Sequence, residues 1–249
     1  MGFHEVSIVV PVFNEEAVLP ESYQRLCRVM LSVGVQWHLI FVDDGSTDGS
    51  AQWLDERAQE NEAVTVIHLS RNFGHQAAIA AGLAAAPGDA VVLIDADLQD
   101  PPELIEQFVR IWQQDHADVV YGVRQRRRGE TLAKRGTAAV FYRLLAKLSD
   151  TPLPVDSGDF RLLSRRVVDI LKQMPTSALY LRGMVAWMGF QQIGVPYVRA
   201  ERSAGTTHYT WRRMVRLAVD AITLFSTAPL RWGIYLGSFV GLLGFMGAA

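Results

Sequence analysis

Residues 90–103 read AVVLIDADLQDPPE. Ala90 to Ile94 is an unbroken apolar run of strand length, and Asp95, Asp97 and Gln99 follow it directly. A short apolar run bounded by polar residues and prolines reads as a strand buried on both faces, not as a half-exposed one. Asp100-Pro101-Pro102-Glu103 then has the proline placement of a helix start, and Glu103 to Trp112 carries the helix. Working outward, the same strand-then-helix unit recurs: Val6 to Val12 precedes Glu15 to Leu31, Leu39 to Val42 precedes Ala51 to Ala58, and Val64 to Leu69 precedes Gln76 to Ala86. Val119 to Gly122 adds a further strand. Repeated units of this length imply an α/β fold, a doubly wound and mostly parallel sheet with helices on both faces.

In such sheets ligands bind beyond the carboxyl ends of the strands. Those ends are polar here: Asn14-Glu15-Glu16, Asp43-Asp44-Gly45-Ser46, Ser70-Arg71-Asn72 and Asp95-Ala96-Asp97-Leu98-Gln99. The first of them lacks the glycines of a dinucleotide-binding turn. If the segment after Ile94 stays extended, Asp95, Asp97 and Gln99 project to one side. Such oxygen ligands suit a hard divalent cation, Mg²⁺ or Mn²⁺, bridging to a pyrophosphate. Two adjacent acids repel unless a donor or ligand takes one, which makes Asp44 a candidate for a nucleobase or ribose. Arg71 suits a diphosphate, because a guanidinium matches its paired oxygens. Thr47 and Asp48 read as helix caps, and His75 as an ordinary first residue of a helix.

The chain has 249 residues, 49% of them hydrophobic, so it can bury a full core. Its formal charge of -2 excludes a surface that attracts nucleic acid as a whole, and anion binding must come from local clusters. Cys27 is the one cysteine, so no internal disulfide forms. From Trp232 to Ala249 no charged residue occurs, which reads as the start of a transmembrane helix cut short. Trp211 to Phe225 alternates apolar residues with Arg212, Arg216 and Asp220 at helical spacing, as an interfacial helix does. Arginines ahead of an apolar span place the preceding domain on the cytoplasmic face of the plasma (inner) membrane. The expected organisation is a catalytic domain over 1–205, an interfacial juxtamembrane helix over 206–231 and a truncated membrane helix over 232–249.

Val10-Pro11-Val12-Phe13-Asn14-Glu15, residues 42–48, Arg71-Asn72-Phe73-Gly74 and residues 95–102 together resemble family 2 glycosyltransferases of the GT-A fold, a Rossmann-like architecture. Within it the chain is similar to the polyprenyl-phosphate transferases, the group of bactoprenol glucosyltransferase and dolichol-phosphate mannose synthase. The resemblance implies that Pro11, Phe13, Glu15 and Asp44, with Arg71, Asp95 and Arg202, hold the nucleotide. It implies that Asp95, Asp97 and Gln99 gather the metal and diphosphate, with Asp97 counted among the catalytic groups. Arg124, Lys134 and Arg135 resemble the residues that grip the lipid phosphate, and Arg161 joins them from Asp156-Ser157-Gly158-Asp159-Phe160-Arg161, the acceptor-side acidic motif. Arg126-Arg127-Arg128 reads as a solvated loop. In Arg202-Ser203-Ala204-Gly205-Thr206-Thr207-His208-Tyr209, a late loop of the family, His208 stands where lysine is usual.

What the resemblance implies is transfer of one sugar, with UDP-glucose favoured as donor, to a polyprenyl phosphate such as undecaprenyl phosphate. The partners are then a nucleotide-sugar, a lipid phosphate and a membrane, with no nucleic acid; assembly as a homo-oligomer stays open. A phosphate acceptor is largely ionised near neutral pH, its second pKa being about 6, so no strong base is needed. Asp159, with Asp156 second, is then the candidate to position the acceptor or stabilise positive charge at the sugar carbon. Two other readings compete. A processive or soluble family 2 transferase would carry Gln-x-x-Arg-Trp, whereas Ala228 precedes Arg231-Trp232 here. A non-catalytic nucleotide-binding membrane scaffold would have lost the Asp95, Asp97 and Gln99 set.

Overall fold

A computed structural model describes residues 4–125, 157–174, 181–199 and 228–248. The chain divides into two compact units, 1–127 with 156–206, and 128–155 with 207–249. In the first unit, four strand-helix pairs follow one another: β1 (Glu5–Val12), α1 (Leu19–Val33), β2 (Gln36–Asp43), α2 (Ser50–Glu60), β3 (Val64–His68), α3 (His75–Ala85), β4 (Ala90–Leu93) and α4 (Leu104–Asp115). Then come β5 (Val119–Arg124), β6 (Ser157–Ser164), α5 (Arg165–Gln173), α6 (Leu181–Trp187) and β7 (Gln192–Tyr197). Of the second unit one element is described, α7 (Ala228–Ala248).

The sheet has seven strands in the order β3-β2-β1-β4-β6-β5-β7. β1, β2, β3 and β4 pair in parallel, and β5 and β7 pair in parallel, while β6 runs antiparallel to both β4 and β5. β1 lies inside the sheet between β2 and β4, and Val6, Ile8, Val9 and Val10 are wholly buried, as its apolar run, interrupted by the buried Ser7, requires. Alternate residues face opposite layers. Ile8, Val10, Phe41 and Val92 pack in one core with Leu26 and Met30 of α1, Leu54 of α2 and Phe108 of α4. On the other face α3 lies against β1 and β2, so closely that a side chain on Gly82 would collide with Val9 Cγ1.

The direction of β6 sets the geometry of the edge that matters. Leu93 pairs with Arg161, and Val123 with Ser157. The first residues of β6 therefore lie beside the last residues of β4 and β5. Residues from all seven strands thus meet at one edge of the sheet.

Two expectations are corrected. The segment after Ile94 does not stay extended: it turns at residues 96–97, and Leu98 adopts a left-handed φ of 58° although it is buried. For a bulky residue this is strained backbone, held by its surroundings. At the other end, no helix among the described residues is long and apolar enough to cross a membrane, so the expected span over 232–249 lacks support. Arg231 and the glycines at 233, 237, 241, 244 and 247 dilute the apolar content of α7. Asp156, Lys134, Arg135, Arg202, His208, the 126–128 triplet and residues 206–227 of the expected interfacial helix lie outside the described residues.

Because Gly82 lets α3 sit directly on β1, Gly82→Ala is expected to destabilise the domain by about 1–3 kcal/mol through overpacking. Denaturant unfolding of the two proteins side by side measures it, and equal midpoints would remove Gly82 as the packing determinant.

Candidate active site

Three strand-end loops are knitted into one wall. After β1, Asn14 takes a left-handed φ of 56°; its N–H donates to Ser46 Oγ (3.0 Å), and its Oδ1 accepts the Thr47 N–H (2.7 Å). The Glu15 N–H donates to Ser50 Oγ (3.0 Å) and the Glu16 N–H to Asp48 Oδ2 (3.2 Å). After β2, Gly45 has a φ of 70°, and a Cβ there would come within 2.6 Å of the Arg71 carbonyl carbon. Glycine serves at this position twice over, for the left-handed turn and for the close approach of the loop after β3.

Asp43 and Asp44 are both buried. Protein donors, not a ligand, resolve their repulsion. Asp43 Oδ1 accepts the Ser46 N–H (3.0 Å), and its Oδ2 lies 3.1 Å from His68 Nδ1. Asp44 accepts the N–H of Phe73 at Oδ1 (2.7 Å) and of Gly74 at Oδ2 (2.9 Å). In this structure Asp44 thus anchors the start of α3. Pro11 is buried in β1, Phe13 is exposed, and the Arg71 guanidinium lies 4.0 Å above the Phe73 ring. Phe13 and the Arg71–Phe73 pair therefore line the strand ends at β1 and β3.

The anchoring of α3 delivers His75 into the site. Its Nε2 lies 3.5 Å from Asp95 Oδ1 and 3.3 Å from Asp159 Oδ2. One imidazole thus joins a carboxylate from the end of β4 to one from the start of β6. Gln76 supports the same arrangement: its Nε2 donates to Asp159 Oδ2 (3.5 Å), and its Oε1 accepts the Leu181 N–H (3.3 Å). Burial pushes the Asp95 carboxyl up to about 6; His75 opposes the rise, and the charges of Asp159, Asp97 and Asp100 add to it. Asp97 is buried, and its Oδ1 accepts the Gln99 N–H (3.1 Å), so Gln99 enters first through its backbone.

On the far side, Arg124 ends β5, with its Nε donating to Tyr197 Oη (3.2 Å) and its guanidinium 3.6 Å from Asp100 Oδ2. Arg161, expected at the acceptor phosphate, is instead 2% exposed within β6 and donates to the Gly158 carbonyl (2.8 Å). The sequence reading overlooked His75, Gln76, Asp100, Tyr197 and Arg199. His75 does begin α3 as expected, and nothing in its neighbours announces that two distant aspartates, Asp95 and Asp159, converge beside it. A separate groove of about 1000 Å³ between α1 and α2, lined by Tyr23, Trp37 and Trp53 among others, contains none of these groups.

Residues 7–171 match the sequence profile of Glycosyl transferase family 2. The chain belongs to that family. As a family 2 glycosyltransferase it is 48% identical to the glycosyltransferase YkcC of Bacillus subtilis (strain 168), over 97% of this chain and 75% of that protein. It is 40% identical to the bactoprenol glucosyl transferase of Shigella phage SfV, over 97% of this chain and 78% of that one. Among solved structures it resembles a mannosyltransferase of Pyrobaculum calidifontis in complex with GDP-Man and Mn²⁺, at 21% identity and a TM-score of 0.60, over 87% of this chain and 62% of that one. It also resembles glucosyl-3-phosphoglycerate synthase of Mycobacterium tuberculosis at 21% identity and a TM-score of 0.58, over 88% of this chain and 76% of that one. These likenesses establish the fold of family 2 enzymes, a mixed α/β GT-A sheet.

His68 joins this wall to α2, with Nδ1 3.1 Å from Asp43 Oδ2 and Nε2 2.9 Å from Asp55 Oδ1. Hydrogen bonds to Asp55 and Asp43 raise its pKa above the ordinary 6.5, against the opposing effect of burial. A raised histidine stabilises the fold fully below 6.5, and that contribution is lost as pH rises through the folded value. The wild-type melting temperature should therefore fall more between about pH 6 and about pH 8 than that of His68→Gln. Parallel curves for the two proteins would show that His68 does not brace the loop.

Proposed function

We propose that this family 2 glycosyltransferase moves a single sugar from a nucleotide-sugar, with UDP-glucose favoured, to a polyprenyl phosphate at the cytoplasmic face of the plasma membrane. The observation that carries the reading is the convergence of Asp95 and Asp159 on His75, which unites the donor half of the sheet with the strand bearing the acceptor-side motif. The 40% identity to a bactoprenol glucosyl transferase supports both the lipid acceptor and glucose. Exposed Ile234, Phe239, Val240 and Phe245 on α7 support contact with an apolar phase.

A divalent cation belongs to this reading. Among the described residues no group of three or more His, Cys, Asp or Glu side chains is placed to hold a metal by itself. That fits a cation shared with substrate, because Mg²⁺ typically takes one or two carboxylates and fills its other positions with phosphate oxygens and water. Asp95 and Asp97 would supply the carboxylates, with Gln99 beside them. The crowding of Asp97, Asp100 and Asp159 around Asp95 is the negative charge that such an ion answers. When bound, it neutralises charge building on the departing nucleoside diphosphate.

The remaining chemistry belongs to the chain. An ionised phosphate can attack without losing a proton, so no general base is required, and Asp159 positions the acceptor or stabilises positive charge at the sugar carbon. His75 and Gln76 hold the Asp159 carboxylate in place. The loops at the ends of β1, β2 and β3 form the nucleotide wall, to which Phe13 and Arg71 contribute exposed surface.

Incubating the protein with radiolabelled UDP-glucose, undecaprenyl phosphate and Mn²⁺ should carry label into the organic phase, and a chelator should stop it. Asp159→Asn should lower kcat by about 100-fold or more while melting normally. Label appearing in polymer, or an unchanged rate in Asp159→Asn, would overturn the respective claims.

A further inference from the structure

Asp100 is wholly buried, although it was expected only to open a helix. A carboxylate in that position is costly unless cations or donors surround it. They come from three places. Tyr197 Oη donates a short hydrogen bond to Asp100 Oδ1, the Arg199 guanidinium stands 3.4 Å from the same oxygen, and the Arg124 guanidinium stands 3.6 Å from Oδ2. Among the described residues Oδ2 accepts no hydrogen bond, so charge rather than hydrogen bonding ties it to Arg124. Tyr197 links the set, since its hydroxyl also accepts from Arg124 Nε at 3.2 Å. Burial pushes the Tyr197 phenol up to about 12, which keeps its proton in place for Asp100.

The backbone is shaped around this cluster. A Cβ on Gly122 would lie 2.7 Å from Tyr197 Cε1, and one on Gly158 would lie 2.5 Å from Arg124 Nη2. Gly158 therefore gives the Arg124 guanidinium its path across the start of β6, next to Asp159. The Tyr197 ring is held further by an edge-on contact with Phe160, centroids 6.1 Å apart.

We propose that Asp100, acting through Tyr197, positions Arg124 and Arg199 as a paired guanidinium grip on the acceptor's phosphate; this rests on the function proposed above. Sheet order selects the acceptor over the donor diphosphate. The knitted wall occupies the ends of β1, β2 and β3, whereas Arg124 ends β5 and Arg199 follows β7, across β6 and Asp159. Two planar guanidiniums from different strands suit the several oxygens of a phosphate monoester, and a lone ammonium would not orient them. Asp100 itself, fully covered, never meets the ligand. It is a positioning residue.

The test uses the full chain with undecaprenyl phosphate, comparing wild type with Asp100→Asn and Arg199→Gln, and measures UDP affinity calorimetrically in Mn²⁺. Each variant is expected to raise the acceptor KM by about tenfold or more, with kcat within about threefold and UDP affinity within about twofold. If Asp100→Asn does not fold, Arg199→Gln, which alters a partly exposed side chain, decides the matter. Unchanged acceptor KM in an active, folded Arg199→Gln protein would sink the proposal while leaving the transferase reading intact. Weakened UDP binding with normal acceptor KM would overturn it differently, by assigning the pair to the donor diphosphate. A wild-type protein that transfers nothing to undecaprenyl phosphate removes the functional reading and this inference together.

Discussion

The two hydrogen bonds that Asp44 accepts from the backbone of Phe73 and Gly74 fix where α3 begins, and the chemistry at the sheet edge hangs on that point. Hydrogen bonds to a charged group contribute about 1.5–3 kcal/mol each when well formed, and Asp44 is buried, so the anchor is strong. From it follow the positions of His75 and Gln76, and from theirs the approach of Asp95 to Asp159. Gly45 permits the whole arrangement, because any side chain there would push the 71–72 backbone away. Gly82 completes it from the other end by seating α3 on the sheet.

Acidic residues crowd this edge, and the protein handles them in three ways. Asp43 and Asp44 are satisfied by backbone donors and by His68. Asp100 is held by arginines and a phenol. Asp95 and Asp159 share an imidazole, and burial, with the neighbouring acids adding to it, raises the Asp95 titration against the opposing charge of His75. The first two sets are built into the scaffold. In the third, a protein group stands between two acids that chemistry would call upon, which is where ligand charge has most effect.

The sheet's first half was legible because periodicity and strand-end polarity speak directly: the β1 to β4 units have short apolar runs, each followed by acids or amides. β6 was not, since Phe160-Arg161-Leu162-Leu163 places a buried arginine inside a strand and its motif resembles a turn with a cap. Arg161 shows the physical reason. Sequence marks a guanidinium as exposed and ligand-seeking, whereas antiparallel pairing with β4 and β5 encloses it. Likewise the alternation of Asp95, Asp97 and Gln99 suggested an extended ladder, but Leu98 turns left-handed and removes the alternation. Convergence across long separations, such as Asp100 with Tyr197 and Arg199, leaves no local trace at all.

The reversed course of β6 separates the sheet into two neighbourhoods, joined through His75 and Gln76, through Asp100 with Arg124 and Tyr197, and through the β4–β6 pairing. One is a continuous parallel block whose loops interlock through hydrogen bonds from backbone N–H groups to side-chain oxygens, so that altering any one disturbs the rest. The other is assembled from strands reaching the edge from opposite directions, paired through their backbones and joined at that edge by the side chains of Asp100, Arg124 and Tyr197. Changes in the second can accumulate while the first is conserved in shape.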